Sequence, residues 1–179
     1  MAVDIGCQWV ILGHPERRTK FNESNQLIGE KIKHVLATTD LKIIACLCEQ
    51  TQERKSNQTM LVLGEQLRSI AENIADDEWS RIVIAYEALW TLDDGKPATP
   101  EQAQETVHDI RQWLTENVND QVGKLTRILY AGFVSGTNSV EFSRQPDIDG
   151  FLVGSASLKP EFVDIVNSKS QLKKVPQAA

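Results

Sequence analysis

Glu87 ends an apolar run, Ile82-Val83-Ile84-Ala85-Tyr86, and precedes a loop containing Gly95 and Pro97. A carboxylate where a buried strand meets a loop can act as a general base, because burial beside Tyr86 and Trp90 raises its pKa toward working pH. The same placement suits a structural carboxylate paired with a Lys or Arg. His14 follows a second apolar run, Trp9 to Gly13, and precedes Pro15-Glu16-Arg17-Arg18. At a helix start an imidazole is held neutral and can polarise a carbonyl. A lone histidine is otherwise a satisfied structural residue. Gly154-Ser155 follows a third run, Gly150 to Val153, and opens a turn before Leu158. Backbone N–H groups there could hold a phosphate, although Gly-Ser is also common in plain loops. Gly132 follows a fourth run, Arg127 to Tyr130. The pairs Arg17-Arg18 and Lys173-Lys174 read as solvated surface, and the tryptophans as core or loop anchors.

The elements that must position these groups alternate between strand and helix. Trp9 to Leu12 is expected as a strand buried on both faces. Asn25 is the expected cap of a helix whose apolar face is Ile28, Ile32, Val35 and Leu36. Leu41 to Leu47 is a second buried strand ending at Cys48-Glu49, and Glu53 to Asn57 is loop. Leu63, Leu67, Ile70 and Ile74 mark another helix, broken by Asp76-Asp77-Glu78 before the strand Ile82–Tyr86. Thr99-Pro100-Glu101-Gln102 is a capping box with Pro at the first helical position. Ala103, Val107, Ile110, Leu114 and Val118 form the buried face of the helix it opens. The fourth strand is Arg127–Tyr130, a short helix follows from about Asn138 to Arg144, and the fifth strand is Gly150–Val153. Pro160 starts a last helix through Phe162, Val163 and Val166, and Ser168 to Ala179 has the polar composition of a tail. This alternation implies an α/β protein with an all-parallel sheet and right-handed crossovers. Carboxyl ends of parallel strands share one rim, so His14, Glu87, Gly132 and Gly154-Ser155 converge on one ligand. The count of βα units fits either an open five-stranded sheet or about five-eighths of a closed barrel, which needs eight units and about 250 residues.

Composition removes several function classes. The formal net charge is −6 over 179 residues, which disfavours non-specific nucleic-acid binding. No apolar run approaches a membrane span, and Met1 to Cys7 lack the basic start and apolar core of a signal peptide. The 3 Cys are odd in number, and Cys46 and Cys48 lie inside an apolar stretch. That usage suits buried thiols in a reducing compartment, so the expected location is cytoplasmic.

Longer motifs then converge on one family. Trp9 to Arg18, with Gly13-His14-Pro15-Glu16-Arg17-Arg18, resembles the Gly-His-Ser-Glu-Arg-Arg motif of the triosephosphate isomerase family. Ala85-Tyr86-Glu87 with Trp90, Gly95-Lys96 and Ala98 to Gln104 is similar to its glutamate strand, lid and following helix. Asp147 to Gly154 and Ala156 to Ile165 match its last strand and helix almost letter for letter. The resemblance implies a partial TIM (β/α)8 barrel over residues 1–169, five of eight βα units corresponding to strands four to eight. Residues 170–179 are expected as a disordered C-terminal tail. It implies interconversion of dihydroxyacetone phosphate and glyceraldehyde 3-phosphate through an enediolate, with no cofactor and no metal. Glu87 moves the proton and neutral His14 polarises the carbonyl, while a closing lid excludes water. These are roles established for the family rather than read from these residues. Glu16 matches a supporting position near the site. Gly154 matches a phosphate contact, and Ser155 stands where the family has glycine but keeps the backbone N–H. The implied partner is a triose phosphate, with no nucleic acid and no membrane.

The departures from the family pattern also carry expectations. The family's catalytic lysine lies in an Asn-Trp-Lys strand whose equivalent would precede Met1, and the dimer-building loop belongs to the same missing units. A homodimer is therefore expected from the family and doubtful for this chain. Asp93 replaces a lid glycine whose N–H meets the phosphate. Like charges about 4 Å apart repel by roughly 1 kcal/mol in water and about 4 kcal/mol near a protein surface. Ala88 replaces a hinge proline, which gives the lid more unfolded freedom. Phe133 replaces a serine whose hydroxyl helps hold the closed lid. Pro15 replaces a serine, a mild change at a helix start, and Cys48 replaces a glycine. The expected isomerase is therefore impaired. The alternative expectation is a catalytically inactive pseudoenzyme or truncated paralogue with a binding role or none.

Overall fold

Four runs rich in β-branched and apolar residues, and a shorter fifth, pair side by side and in order. A computed structural model of the chain describes residues 1–91 and 95–172. The strands are β1 (Trp9–Leu12), β2 (Lys42–Glu49), β3 (Ile82–Ala88), β4 (Arg127–Ala131) and β5 (Gly150–Leu152). The helices are α1 (Pro15–Lys20), α2 (Asn25–Thr38), α3 (Thr51–Lys55), α4 (Thr59–Ala71), α5 (Pro100–Asn117), α6 (Asp120–Leu125), α7 (Ser139–Ser143) and α8 (Phe162–Leu172), with 3₁₀ turns at Asp76–Arg81 and Ser155–Leu158. The sheet order is β1-β2-β3-β4-β5, and every pairing is parallel. A strand order that never reverses is the barrel arrangement, in contrast to a doubly wound sheet. Among the described residues the sheet is open, with β1 and β5 each paired on one side only.

Alternation sorts the strand residues onto two faces. Ile43, Ala45 and Leu47 of β2 and Ile82, Ile84 and Tyr86 of β3 join one core with Ile28 and Ile32 of α2, Leu63 and Leu67 of α4, and Val107 and Ile110 of α5. The opposite phase, including Cys46, Cys48, Ala85 and Glu87, lines the concave side. The capping box that opens α5 forms as its sequence predicts: Gln102 N donates to Thr99 Oγ1 at 3.2 Å, and Thr99 N donates to Gln102 Oε1 at 2.9 Å.

Several local expectations are corrected. β1 is not buried on both faces, and Ile11 is 49% exposed. As an edge strand it has a neighbour on one side only. Ser24, not Asn25, caps α2, its hydroxyl accepting from Leu27 N at 3.1 Å. Thr51–Lys55 is helical rather than loop, steadied by Gln50 N donating to Glu53 Oε2 at 2.6 Å. Asp120–Leu125 forms an unforeseen helix because Asn119 Oδ1 accepts from Val122 N at 2.9 Å. β2 and β3 run on to Glu49 and Ala88, so Glu87 lies within its strand. α8 starts at Phe162 and extends through Leu172, so residues 170–172 are helical rather than tail. Lys173-Lys174 and the rest of the tail, and the lid residues Asp93 and Asp94, lie outside the described residues. No described helix is long and apolar enough to cross a membrane.

Candidate active site

His14 is aimed by the turn that ends β1. Gly13 has φ +72, a conformation L side chains rarely adopt, and a Cβ there would meet Cys46 O at 3.1 Å and Ile28 Cγ2 at 3.2 Å. Glycine at this position thus meets both a backbone and a packing demand. His14 caps α1, and its Nδ1 accepts from Glu16 N at 3.4 Å. An accepting Nδ1 places the proton of the neutral ring on Nε2. That Nε2 lies 3.7 Å from Glu87 Oε2.

Arg18 locks this turn, which corrects its expected solvated placement. Its Nε donates to Gly13 O at 2.8 Å, Nη1 to Asn25 Oδ1 at 2.6 Å and Nη2 to Cys46 O at 3.1 Å. One guanidinium therefore ties the end of β1 to α2 and β2. Arg18→Ala is expected to cost about 3 kcal/mol, since it removes charge-assisted bonds and strands two carbonyls. Arg18→Lys should recover only part, because an ammonium cannot span the three acceptors. Urea midpoints of the two variants check this.

Glu87 lies on the concave face of β3, opposite Cys48 of β2 and Ala131 of β4 in the strand registers. Tyr86 does not desolvate it as the sequence suggested, because adjacent strand residues face opposite ways. Burial among the concave-face residues raises the Glu87 pKa, the His14 imidazole opposes that rise, and Glu16 adds to it. Among the described residues its ionic neighbour is His14 rather than a Lys or Arg, so the structural-pair alternative does not hold there. The register sets the buried Cys48 side by side with Glu87 on the adjacent strand. Burial pushes both the Cys46 and Cys48 thiols up to about 12, so they pack as neutral groups.

A second carboxylate carries no motif that marks it in the sequence. Glu49, in the outward phase of β2, is fully buried. It accepts from Tyr86 Oη at 2.8 Å, and Trp90 Nε1 donates to Tyr86 Oη at 3.5 Å. The Arg54 guanidinium lies 3.9 Å from Glu49 Oε1 and 5.1 Å from the Trp90 ring centroid. Glu49 Oε2 and Tyr130 Oη are buried without a hydrogen-bond partner among the described residues. Burial pushes the Glu49 carboxyl up to about 7, against the hydrogen bond from Tyr86 and the charge of Arg54. The signal was its strand phase, shared with Ile43, Ala45 and Leu47.

The opposite wall comes from the loops after β4 and β5. Gly132 has φ +148, and a Cβ there would come within 2.9 Å of Tyr130 Oη, so only glycine lets this loop pass the buried tyrosine. Gly154 precedes the turn Ser155–Leu158, which is closed by Ser157 N and Ser157 Oγ donating to Gly154 O at 3.0 and 2.7 Å. The first N–H groups of a helical turn have no partner within it. His14, Glu87, Gly132, Phe133, Gly154 and Ser155 line one cavity of about 440 Å³. Glu16 does not line it: its carboxylate pairs with Lys20 at 2.6 Å, and only its N–H reaches His14. A larger cavity of about 570 Å³ lies beside Trp79, Asn119 and Leu125, toward the amino ends of β3 and β4. Among the described residues no group of three or more His, Cys, Asp or Glu is placed to hold a metal ion.

Sequential parallel strands in an order that never reverses, with a carboxylate and an imidazole brought together at one rim, define an α/β protein of the barrel type. A family model described as triosephosphate isomerase matches residues 1–169. The chain belongs to the triosephosphate isomerase family.

Proposed function

We propose that this cavity binds a triose phosphate and that Glu87 carries a proton between its adjacent carbons through an enediolate, more slowly than a typical enzyme of the family. The observation that carries the reading is the approach of His14 Nε2 to Glu87 Oε2, 3.7 Å, in one cavity with the Gly154-Ser155 turn. A substrate carbonyl placed against Nε2–H is polarised while the carboxylate beside it removes the α proton. The raised Glu87 pKa makes it a stronger base once ionised, and the Gly154 and Ser155 N–H groups receive the phosphate. Slow turnover is supported by the residues around the reacting atoms. Phe133 presents a ring, 46% exposed, where the family has a hydroxyl. Among the described residues the one Lys or Arg in the cavity wall, Lys159, follows the Ser155–Leu158 turn rather than the strand ends that carry His14 and Glu87, so the imidazole is the group offered to the enediolate charge.

Proton exchange tests the proposal. Dihydroxyacetone phosphate incubated with the purified chain in D₂O should take up deuterium at the prochiral carbon above the buffer rate, followed by NMR. A coupled assay should show turnover several orders of magnitude below the typical 1–10³ s⁻¹ range of enzymes. Absence of both exchange and binding overturns the reading, and turnover within that range overturns the slow rate.

A further inference from the structure

We propose that Lys159 is the cation that pairs with the ligand's phosphate in this cavity, and that Glu161 competes with the phosphate for it. The inference rests on the triose phosphate reading and adds a residue to it. Among the described residues Lys159 is the only Lys or Arg in the cavity wall that also contains His14, Glu87, Gly154 and Ser155. It directly follows the Ser155–Leu158 turn, its own N–H donating to Ala156 O at 3.1 Å. The turn that offers backbone N–H groups to an anion therefore also carries the ammonium. The Lys159 side chain is 61% exposed, and Nζ lies 3.7 Å from Glu161 Oε1. That separation is too long for a tight charge-assisted bond, so little is lost when the ammonium turns to another acceptor.

Glu161 is held in place by the other loop. Its Oε2 accepts from Gly136 N at 3.0 Å, in the segment after β4. It is thus a fixed carboxylate at the cavity edge, facing an exposed ammonium. With Glu87 ionised, the cavity wall carries two carboxylates and one ammonium. A phosphate dianion entering it meets net negative charge unless Lys159 swings onto it.

Titration calorimetry of the full chain with 2-phosphoglycolate, a two-carbon phosphate with a planar carboxylate, tests this. Lys159→Met should weaken binding about tenfold and Lys159→Arg by less than about threefold, the charge and not the shape being needed. Glu161→Gln should tighten binding by about threefold or more, because the ammonium loses its competitor. Added salt should narrow the gap between the unaltered chain and Lys159→Met. Circular dichroism of each variant confirms the fold, and an unfolded Lys159→Met leaves Glu161→Gln and the salt series to decide. Equal affinity of Lys159→Met and the unaltered chain, or no gain in Glu161→Gln, overturns the inference while leaving the triose phosphate reading intact. Failure of the unaltered chain to bind the ligand overturns both.

Discussion

Glu87→Gln is expected to lower deuterium exchange into dihydroxyacetone phosphate by about 10²–10⁴-fold, the range a positioned general base supplies. Glutamine keeps the volume and the strand, so Cys48 and Ala131 still flank the side chain in the sheet register. It lacks the basic oxygen. Binding of a phosphate-bearing mimic should stay within about threefold, because the amide removes the carboxylate that repels the ligand rather than a group that holds it. The result separates catalysis from binding in one variant. Glu87→Asp keeps the charge but withdraws the oxygen from His14, and a misplacement of about 1 Å can cost about 10²-fold. Burial raises the Glu87 pKa, so the active, ionised form appears only above the ordinary carboxylate range, and the acid limb of the rate profile should lie there. The same shift makes the folded state hold the Glu87 proton more tightly than the unfolded one. Stability from this group is fullest at low pH and declines as pH rises through the folded pKa. Glu87→Gln should remove that decline. An exchange rate equal to the unaltered chain would refute the assignment.

The site's main pair was legible because its signals are local. A continuous apolar run followed by a polar residue marks a strand end, and a parallel sheet brings strand ends to one rim. That alone made His14 and Glu87 candidates beside equally open structural readings, and the family resemblance assigned their roles. What was not legible depends on partners far along the chain. Arg18 looked like surface charge, yet one of its bonds goes to Cys46 O, 28 residues away. The edge position of β1 is invisible in Trp9-Val10-Ile11-Leu12, since composition says nothing about how many neighbours a strand has. Thr51–Lys55 and Asp120–Leu125 are 5 and 6 residues long, too short to show a 3.6-residue period, so only their caps betray them. Glu49 reads as a plain strand end because Ile43 to Cys48 is apolar throughout. An unbroken run hides which phase faces the helices, and the answer comes from the register of β2 against β3.

Glu49 sets the last expected result, a loss of stability between mildly acidic and neutral pH. In the unfolded chain its carboxyl titrates near the ordinary 4.5, and in the folded protein burial pushes it up to about 7. Between these values the folded state holds a proton that the unfolded state has released. Unfolding therefore releases a proton, and rising pH favours it. From this group alone stability is full below about pH 4.5, falls through the window and levels off above about pH 7, a total of about 3 kcal/mol at 1.36 kcal/mol per unit. Paired carboxylates such as Glu23, whose pKa is lowered by its bonds to Lys31 and Arg17, act in the opposite sense but below this window. Glu87 and Asp109, both raised by burial, act in the same sense, so the unaltered chain alone does not isolate Glu49. Glu49→Gln does. The amide carbonyl still accepts from Tyr86 Oη, the volume is kept, and no charge forms on the buried group. The stability difference between Glu49→Gln and the unaltered chain should therefore grow in favour of the variant by about 3 kcal/mol from pH 4.5 to pH 8, read from urea midpoints at constant slope. A difference that stays flat across that range would mean that Glu49 ionises in the fold as freely as in water. The Arg54 guanidinium at 3.9 Å would then balance the burial that the raised pKa expresses.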